Sequence, residues 1–587
     1  METLAGSLDD LKTNGHLVTK VGRQPVAVFW HEDRAWAIDD RCPHLGLPLH
    51  RGTVESGMVT CHWHHARFDL SSGCTLDPWA DDAAAYDVEI RRTDDGVAGE
   101  QVWVTARTDG DPRGRLLARL EDGLEDQITL VIAKSVLGLL DLGESPTTIV
   151  ATAARFAARN RCGGWSSGLT VLCAMAGVLD DLDPDDRPLA LTQALAFLAA
   201  DVAGNAPRFP LDPLNGTEVG IGRLSDWYRR FIDTRSGDAA ERALATALQR
   251  LDQPTVLDQS ADPGESSTRA DIEAMMFAAV TDHVFIDEGH TIDFTNKAFE
   301  LIDLLGPGTA PQLLPTLVHQ TAGATRHEEL SEWRHPHDLA ALLGETTLSS
   351  GPGWGDDGAV AALGHELLVD DPRHVVDALV KAGENGASAE ELARAVALAS
   401  ALRIVRFHTQ NDHRDWNSVH HGFTTANAVH QAVGRNPTPE LLRGVLHSAL
   451  KVYLDRFLNV PAARPPQAET GSLDALAACW ETQGQVDDAG REAYGYLADG
   501  GDPAALIAAL GSALLAEDAG FHWFQLYEAA VRQHRAWPAG SEEGRLVLVA
   551  FARFLAAHTP TRRERSRVVD IARRLRRGEE LFEATTA

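Results

Sequence analysis

The strongest constraint on the fold of this chain is a pair of cysteine–histidine blocks close to its N-terminus. The first block, CPHLG, begins at Cys42 and offers Cys42 and His44, and the second, CHWHH, begins at Cys61 and offers Cys61 and His64. Thiolates and imidazoles at such close spacing are typical of a metal centre held by two loops. We therefore expect the chain to fold so that these two loops meet.

Two kinds of centre use two cysteines and two histidines. A Rieske-type [2Fe-2S] cluster places two Cys on one iron and two His on the other, whereas a structural zinc site takes all four ligands on one ion. Zinc fingers set their ligands on a β-hairpin and a helix, and nothing helical follows Cys61. The sequence therefore favours the cluster, with Cys42, His44, Cys61 and His64 as its ligands.

Other Cys and His side chains in the same stretch are not expected to be ligands. His50, His62 and His65 are expected to pack within the loops. Cys74 closes an SSGC turn and is expected to be a thiol near the cluster or in the core.

The composition and periodicity of the sequence change around residues 109–114. Residues 16–106 contain short runs rich in β-branched and aromatic residues between Gly, Asp and Pro, which predict strands. Long Ala- and Leu-rich segments with helical periodicity follow. Because 587 residues exceed the size of one hydrophobic core, we predict a multidomain protein, with a small all-β domain at 1–108 and a large all-α domain at 115–587.

The helical part contains an internal repeat. Residues 281–325 match residues 411–456, since both contain Asp-His, six residues, His, and then an FT-led helix. A third segment, 163–205, keeps the two-helix pattern but has no histidine. The sequence therefore predicts an array of helical hairpins, two of which contain histidines that could act in chemistry.

Histidines are concentrated in these two matched copies, and no histidine lies between His65 and His283. When the two copies are aligned, their histidines fall at equivalent positions. A shift of the alignment by one residue exchanges His420 for His421. Imidazole-rich sites suit iron, zinc or copper, and core packing remains the alternative role of each residue. The candidate ligands of a second metal are His283 with His413, His290 with His420, and His319 with His447.

Lysine is scarce, and two lysines are candidates for a special role. Lys451 lies four residues beyond His447 on the apolar helix LLRGVLHSALKVYLDRFL, so the two side chains share a face. A lysine on a buried face pairs with an acid, loses its proton or is modified. The alternative for Lys451 is an ion pair with Asp455, and Lys297 in FTNKAFE competes with it.

Two family resemblances extend these predictions. The first 108 residues resemble a Rieske ferredoxin domain in the motifs CPH-x-G-x-x-L and CxWHxxxFDLxSG. From about residue 115 the chain is similar to the questin oxidase family in its DH-x6-H and FT blocks. That second resemblance implies a non-haem iron held by several histidines and a carboxylated lysine. The implied ligands are drawn from His283, His290, His413, His420 and His447, with Lys451 as the modified residue and Lys297 as its competitor.

The combined prediction is an iron-dependent oxygenase. Electrons from an NAD(P)H-dependent reductase or a ferredoxin would enter the cluster and pass to a non-haem iron that activates O2 and oxidises a small organic molecule. Aromatic and polyketide compounds are the candidate substrates. One alternative is an electron-transfer or redox-sensing protein whose helical domain binds a partner and has no second metal. Another is a ring hydroxylase with a facial triad in an unrecognised spacing. By analogy with Rieske oxygenases, a homo-oligomer is also expected.

Composition excludes several partners. The formal net charge of −32 argues against nucleic acid, because phosphate binding needs clustered Lys and Arg. No apolar run is long enough to span a membrane, and the opening METLAGSLDDLKTNG does not have the pattern of a signal peptide. Six cysteines, two of them at metal-type spacing, fit a reducing compartment. We therefore predict a cytoplasmic protein.

Overall fold

The computed structural model describes residues 2–92, 99–107, 111–160, 163–215, 219–251, 267–579 and 581. Contacts within the chain divide it into two compact units. The first unit contains residues 1–145 and 565–587, and the second contains residues 146–564. The predicted fold class, a small all-β domain followed by a large helical region, is confirmed.

Antiparallel strands form two sheets in the first unit. The larger sheet has the order β1-β9-β8-β4-β3-β2, and the smaller has the order β5-β6-β7. The strands are β1 Glu2–Ser7, β2 His16–Val21, β3 Gln24–His31, β4 Arg34–Asp39, β5 Thr53–Glu55, β6 Met58–Thr60, β7 Arg67–Asp69, β8 Ala85–Arg92 and β9 Glu100–Ala106, with helix α1 at Leu8–Asn14.

Alternation along β3 explains why the large sheet is covered on both faces. Val26 and Val28 point into a core shared with β9, whereas Ala27 and Phe29 point into a second core on the other face. Successive side chains of a strand point to opposite faces, so an apolar strand without polar alternation is buried on both sides. The second core contains Cys42 and Cys61, which therefore lie where the loops cover the sheet.

Three helices complete the first unit. They are α2 Pro112–Glu125, α3 Thr129–Asp141 and α24 Glu564–Arg576. Helices α2 and α3 pack against each other, and Arg576 of α24 forms an ion pair with Asp141 of α3. The side chain of Leu575 packs against Gly46, so α24 lies on the loop that follows Cys42.

Within its described residues, the second unit contains helices, short turns and connecting loops, and no strand. Its helices are α4 Pro146–Asn160, α5 Ser167–Gly177, α6 Arg187–Val202, α7 Ile221–Asp233, α8 Gly237–Leu248, α9 Arg269–Thr281, α10 His290–Leu305, α11 Ala310–Leu313, α12 Val318–Gly323, α13 Leu339–Glu345, α14 Asp357–Glu366, α15 Pro372–Glu384, α16 Ala389–Val405, α17 Trp416–Arg435, α18 Pro439–Leu454, α19 Leu473–Trp480, α20 Val486–Ala498, α21 Pro503–Ala516, α22 Phe521–Arg535 and α23 Glu542–His558. Short 3-10 turns occur in both units, at Leu49–Arg51, Leu179–Asp181, Ile286–Gly289, Pro307–Thr309, Leu314–Leu317, His327–Glu329, Ser331–Trp333, His413–Asp415 and Asp455–Asn459.

Helix α17 lies at the centre of this unit and packs against α10, α16, α18 and α22. Its neighbour α16, AEELARAVALASALRIV, is rich in alanine and almost wholly buried, which lets helices approach it closely. The two matched sequence segments differ in their second helix. Pro311 and Pro315 interrupt the first copy into short pieces, whereas α18 in the second copy is continuous after its N-terminal proline.

The interpretation of residues 281–325 and 411–456 as copies of one repeat remains a prediction, as do the domain boundaries at residues 108 and 115. Across the described residues, no helix combines the length and hydropathy that a membrane crossing requires.

Candidate metal centres

The two Cys–His blocks fold into loops of the same design. In each loop the cysteine N–H donates to the carbonyl five residues later, at 2.8 Å for both Cys42 and Cys61. The cysteine carbonyl accepts from the N–H four residues later, and that fourth residue has a positive φ, 86° at Gly46 and 64° at His65. The left-handed residue lets each loop turn back on its cysteine. Both sulfurs are buried, with Cys42 3% and Cys61 1% exposed.

The four predicted ligands lie together at the tips of these loops. The imidazole rings of His44 and His64 are 4.7 Å apart between centroids. The side chain of Cys42 donates a hydrogen bond to Cys61, which lowers the pKa of Cys61 to about 6 and raises that of Cys42. Burial lowers the pKa of His44 to about 4, so its ring is neutral at pH 7.

These side chains fit a cluster of the Rieske type. The Nδ1 atom of His44 is buried and has no hydrogen-bond partner in the described structure, as expected of a nitrogen that binds metal. The neighbouring histidines are engaged elsewhere, since His50 Nδ1 is 2.7 Å from Asp40 and His62 Nε2 is 2.7 Å from Thr53. The ligand assignment to Cys42, His44, Cys61 and His64 therefore remains our interpretation of this geometry.

A second group of candidate ligands lies in the helical unit. His290 begins α10, His421 lies in the second turn of α17, and His522 is the second residue of α22. Each ring offers a nitrogen, and these three atoms lie within 4.8 Å of one another. The Nε2 atoms of His421 and His522 are 3.4 Å apart. This group, which we call the His290 centre, could hold a metal ion.

Two further side chains border the His290 centre. The His420 ring is 4.0 Å from that of His522 between centroids. Its Nδ1 lies 3.1 Å from the Trp416 carbonyl oxygen, so this nitrogen carries the proton, and its buried Nε2 has no partner in the described structure. The Glu288 carboxylate lies 3.1 Å from His421 Nδ1. A proton on that nitrogen leaves His421 Nε2 free to bind a metal.

The backbone before α10 is held in an uncommon conformation that places Glu288. Phe285, Asp287 and Glu288 have φ values of 42°, 51° and 56°, and Gly289 follows at 88°. Left-handed backbone costs about 1–3 kcal/mol at a non-glycine residue and is concentrated at functional sites. A Cβ atom on Gly289 would lie 1.9 Å from Thr425 Oγ1, so the chain also approaches α17 too closely for a side chain.

Burial, together with the nearby His421, keeps the imidazoles of His290 and His522 neutral at pH 7. The pKa of His290 is lowered to about 4 and that of His522 to about 3, chiefly because both rings are buried and secondly because His421 is close to each. The pKa of Glu288 falls to about 2 because it accepts a hydrogen bond from His421. Neutral imidazoles beside a carboxylate are the protonation states that a transition metal requires.

Gln525 joins His522 to a buried acid. Its Oε1 is 3.1 Å from His522 Nδ1, and its amide nitrogen donates to Asp293. An amide that donates to a carboxylate must present its oxygen on the other side, so His522 Nδ1 carries the proton and Nε2 is left with a lone pair. Burial raises the pKa of Asp293 to about 7.

The remaining predicted ligands lie elsewhere or are engaged by acids. His283 Nδ1 is 2.8 Å from Glu328, and His319 is half-exposed beside Glu241. His447 lines a small cavity with Val280, Thr281, Phe285, Ile286, Ile292, Thr425 and Gly444. The side chain of His413 lies outside the described residues. The structure thus brings His290 together with the His420–His421 pair, and His283, His319 and His447 do not belong to this group.

Both candidate lysines form ion pairs. Lys451 Nζ lies 2.5 Å from Asp455 Oδ1 and 2.8 Å from Ser418 Oγ. Lys297 Nζ lies 2.8 Å from Glu300 and 2.8 Å from Glu528. Both ammonium groups are therefore engaged by carboxylates.

Sequence reasoning missed His522. It lies in α22, outside the matched segments, so comparison of the repeats could not find it. The only local signal was a histidine between aromatic residues, FHWF, directly after Gly520.

Comparison with known proteins identifies the first of these centres. Residues 2–87 match the Rieske [2Fe-2S] domain family. A human Rieske domain-containing protein is 33% identical over 72 residues, which is 12% of this chain and 46% of that protein. The ferredoxin component of naphthalene 1,2-dioxygenase/salicylate 5-hydroxylase systems from Ralstonia sp is 30% identical over 87 residues, 15% of this chain and 84% of the ferredoxin.

One further relative is named as an oxygenase. The 4beta-methylsterol monooxygenase of Methylococcus capsulatus is 41% identical over 56 residues, which is 8% of this chain and 15% of that enzyme. The chain thus spans less than half the length of both the human relative and the monooxygenase. Each of the three matches covers less than a fifth of this chain.

Proposed function

The chain belongs to the Rieske [2Fe-2S] family through its N-terminal domain, and from this premise we propose that it is an oxidoreductase with two metal centres. In this proposal the N-terminal cluster receives single electrons from a ferredoxin or an NAD(P)H-dependent reductase. The electrons then serve a non-haem iron at the His290 centre, where O2 is used to oxidise a small organic molecule. The observation that carries the proposal is the convergence of three histidines from α10, α17 and α22.

The residues of the first centre suit electron transfer. A bound cluster would supply one-electron transfer at a potential above that of an all-Cys cluster. Cys42 and Cys61 are buried beneath the two loops, whereas His44 is half-buried and His64 is exposed to solvent. Trp63 beside it is 39% exposed. An electron-transfer partner would therefore meet the histidine side of this centre.

The residues of the second centre suit a metal with an open position. A bound iron would supply O2 binding and activation. His290, His421 and His522 provide three nitrogen atoms, and His420 provides a fourth beside them. Phe521 packs against the rings of His290 and His522, at 5.9 Å and 4.4 Å between centroids. This aromatic wall would exclude water and favour an apolar or aromatic substrate.

Iron counted per purified chain tests the proposal. We expect three irons per chain, two in the cluster and one at the His290 centre. His522→Ala should lower the count to two and leave the electron paramagnetic resonance signal of the reduced cluster unchanged. His319→Ala is the matched control, because this histidine is half-exposed and lies outside the group. Two irons in the parent protein, with no other metal bound, would contradict the second centre.

An electron carrier is the alternative function. It is favoured by the ferredoxin component from Ralstonia sp, 84% of whose length aligns with this chain. In that case the helical unit would bind a partner and the His290 centre would hold no metal. The same count separates the two functions, since a carrier would give two irons per chain and the same cluster signal in the His522→Ala variant.

A further inference from the structure

A single lysine connects the helical hairpin α2–α3 to the loop that carries His44. Lys134 lies in α3, in the apolar sequence TLVIAKSVLGLLD, most of whose residues are buried. Its Nζ donates to the carbonyl oxygens of Pro43 and His44, the latter at 3.3 Å. It also lies 2.8 Å from Asp81 Oδ2. The Lys134 side chain is 17% exposed, so these contacts are largely shielded from water.

A second cation of the same hairpin holds the neighbouring loop. Arg119 of α2 donates to the carbonyl oxygens of Pro78 and Ala80, at 3.1 Å and 3.0 Å, and pairs with Asp81 at 3.3 Å. Trp79, in the same loop, packs edge-on against the His44 ring at 4.8 Å between centroids. The hairpin thus fixes both the backbone of His44 and the ring that packs against it.

These contacts lie outside the part of the chain that matches the Rieske family. The family match ends at residue 87, whereas α2 and α3 occupy Pro112–Glu125 and Thr129–Asp141. The hairpin is therefore a feature that this chain adds to the shared domain. Its cation reaches the histidine side of the centre, where His44 Nδ1 is buried without a partner in the described structure.

We propose that Lys134 is a positioning residue for the [2Fe-2S] cluster and raises its reduction potential. Reduction adds one negative charge to the cluster, and a nearby shielded cation stabilises the charge that is added. The hydrogen bonds from Lys134 to the two carbonyl oxygens hold its ammonium group at a fixed position beside the loop that bears His44. Without Lys134, the Asp81 carboxylate would keep Arg119 but lose its second cation partner, which disfavours reduction further.

The test is the midpoint potential of the cluster in the full-length protein, followed by redox titration with electron paramagnetic resonance. Lys134→Met removes both the charge and the hydrogen bonds, and Lys134→Gln removes the charge but keeps a donor. We expect a more negative potential in both variants, with a larger shift at low ionic strength because salt screens charge. Lys134→Arg should restore the parent potential.

Arg119→Met is the matched control. It removes a cation of the same hairpin that contacts Asp81 but not the carbonyls of Pro43 and His44. We expect its potential to stay closer to the parent value than that of Lys134→Met, even if the two variants lose similar thermal stability. Equal shifts in both variants, or a parent-like potential in Lys134→Gln, would overturn the proposal.

Cluster uptake provides a second readout. If Lys134→Met fails to retain the cluster while Lys134→Arg retains it, the positioning role is supported. Loss in both variants, with Arg119→Met equally affected, would show that the contact is only packing and would overturn the role. None of these measurements depends on a metal at the His290 centre.

Discussion

Lys297→Met should destabilise the helical unit strongly at neutral pH. The Lys297 side chain is 1% exposed and lies between the carboxylates of Glu300 and Glu528, which are 7% and 1% exposed. Both distances are 2.8 Å. The substitution keeps the volume of the stem but leaves two buried carboxylates without their shared cation.

The size of the destabilisation in Lys297→Met follows from these burial values and distances. Removing one partner of a buried ion pair costs about 3–5 kcal/mol, because the remaining charge stays buried. Arg532 lies 3.3 Å from Glu300 and also pairs with Glu528, so part of the charge remains compensated. We therefore expect the free energy of unfolding to fall by about 3 kcal/mol at pH 7, the lower end of that range.

The effect should depend on pH with a definite sign. In the parent protein the pKa of Glu300 is lowered to about 2, with Lys297 and Arg532 as the main causes that outweigh burial. This carboxylate therefore contributes stability that is present above its ordinary pKa of 4.5 and is lost as the pH falls from 4.5 towards 2. In Lys297→Met the pKa of Glu300 should rise because its nearest cation is lost, so the difference in unfolding free energy between the two proteins should shrink below pH 4.5.

Urea unfolding followed by far-ultraviolet circular dichroism measures this difference. Lys381→Met is the matched control, because Lys381 is exposed near the end of α15 and its loss should change stability by less than about 0.5 kcal/mol. Adding Glu528→Gln to Lys297→Met should recover part of the loss. Equal unfolding midpoints of Lys297→Met and the parent at pH 7 would refute the reasoning. Loss of metal without loss of stability would instead favour Lys297 as a ligand.

Three further predictions concern the second unit. Gly289→Ala should lower the unfolding free energy by about 1–3 kcal/mol and weaken metal binding, because φ is 88° and Thr425 occupies the space of the new methyl group; calorimetry and metal titration measure both. Gln525→Leu should weaken the second metal about 10–100-fold by releasing the His522 tautomer, with an unchanged cluster signal; parent-like affinity would contradict this. Burial lowers the pKa of His447 to about 4 from 6.5, so its stabilisation is complete above pH 6.5 and is lost towards pH 4. The parent protein should therefore lose unfolding free energy between pH 7 and pH 5 as this histidine becomes protonated on unfolding. In His447→Leu this loss should be about 2 kcal/mol smaller, as measured by urea unfolding at the two pH values.

The first centre could be predicted from sequence because its geometry is local. Each cysteine and its histidine lie within one tight loop, and the hydrogen bonds that shape the loop involve residues four and five positions away. Their spacing therefore encodes most of the arrangement. Tertiary packing has only to bring two preformed loops together on one face of the large sheet.

The second centre could be predicted only in part because its residues come from distant helices. The repeat indicated His290 and the His420–His421 pair, but adjacent residues on a helix point about 100° apart. Which of the two joins the group depends on how α17 packs against α10 and α22. His522 has no counterpart in the repeat, so no internal comparison could reveal it.

The lysines show a related limit. Sequence placed Lys451 on the same helix face as His447, and the structure retains both on α18. Spacing does not reveal that Ser418 and Asp455 are within reach of the ammonium group. An apolar helix containing one lysine is compatible with an ion pair or with a modified ligand, and only the neighbouring helices distinguish the two.

The two centres share one physical feature that supports reading both as metal sites. His44 Nδ1 in the first unit and His420 Nε2 in the second are buried nitrogens without partners in the described structure. A buried polar atom left unpaired costs about 1–3 kcal/mol, so folds rarely retain one without a use. At the first centre, the [2Fe-2S] cluster that the family match implies would supply that use. At the second, His290, His421 and His522 lie close enough to offer their nitrogen atoms to one metal ion. A metal cation bound to neutral imidazoles satisfies these lone pairs without adding a proton. Packing alone gives no reason to bring several imidazole rings together in a core.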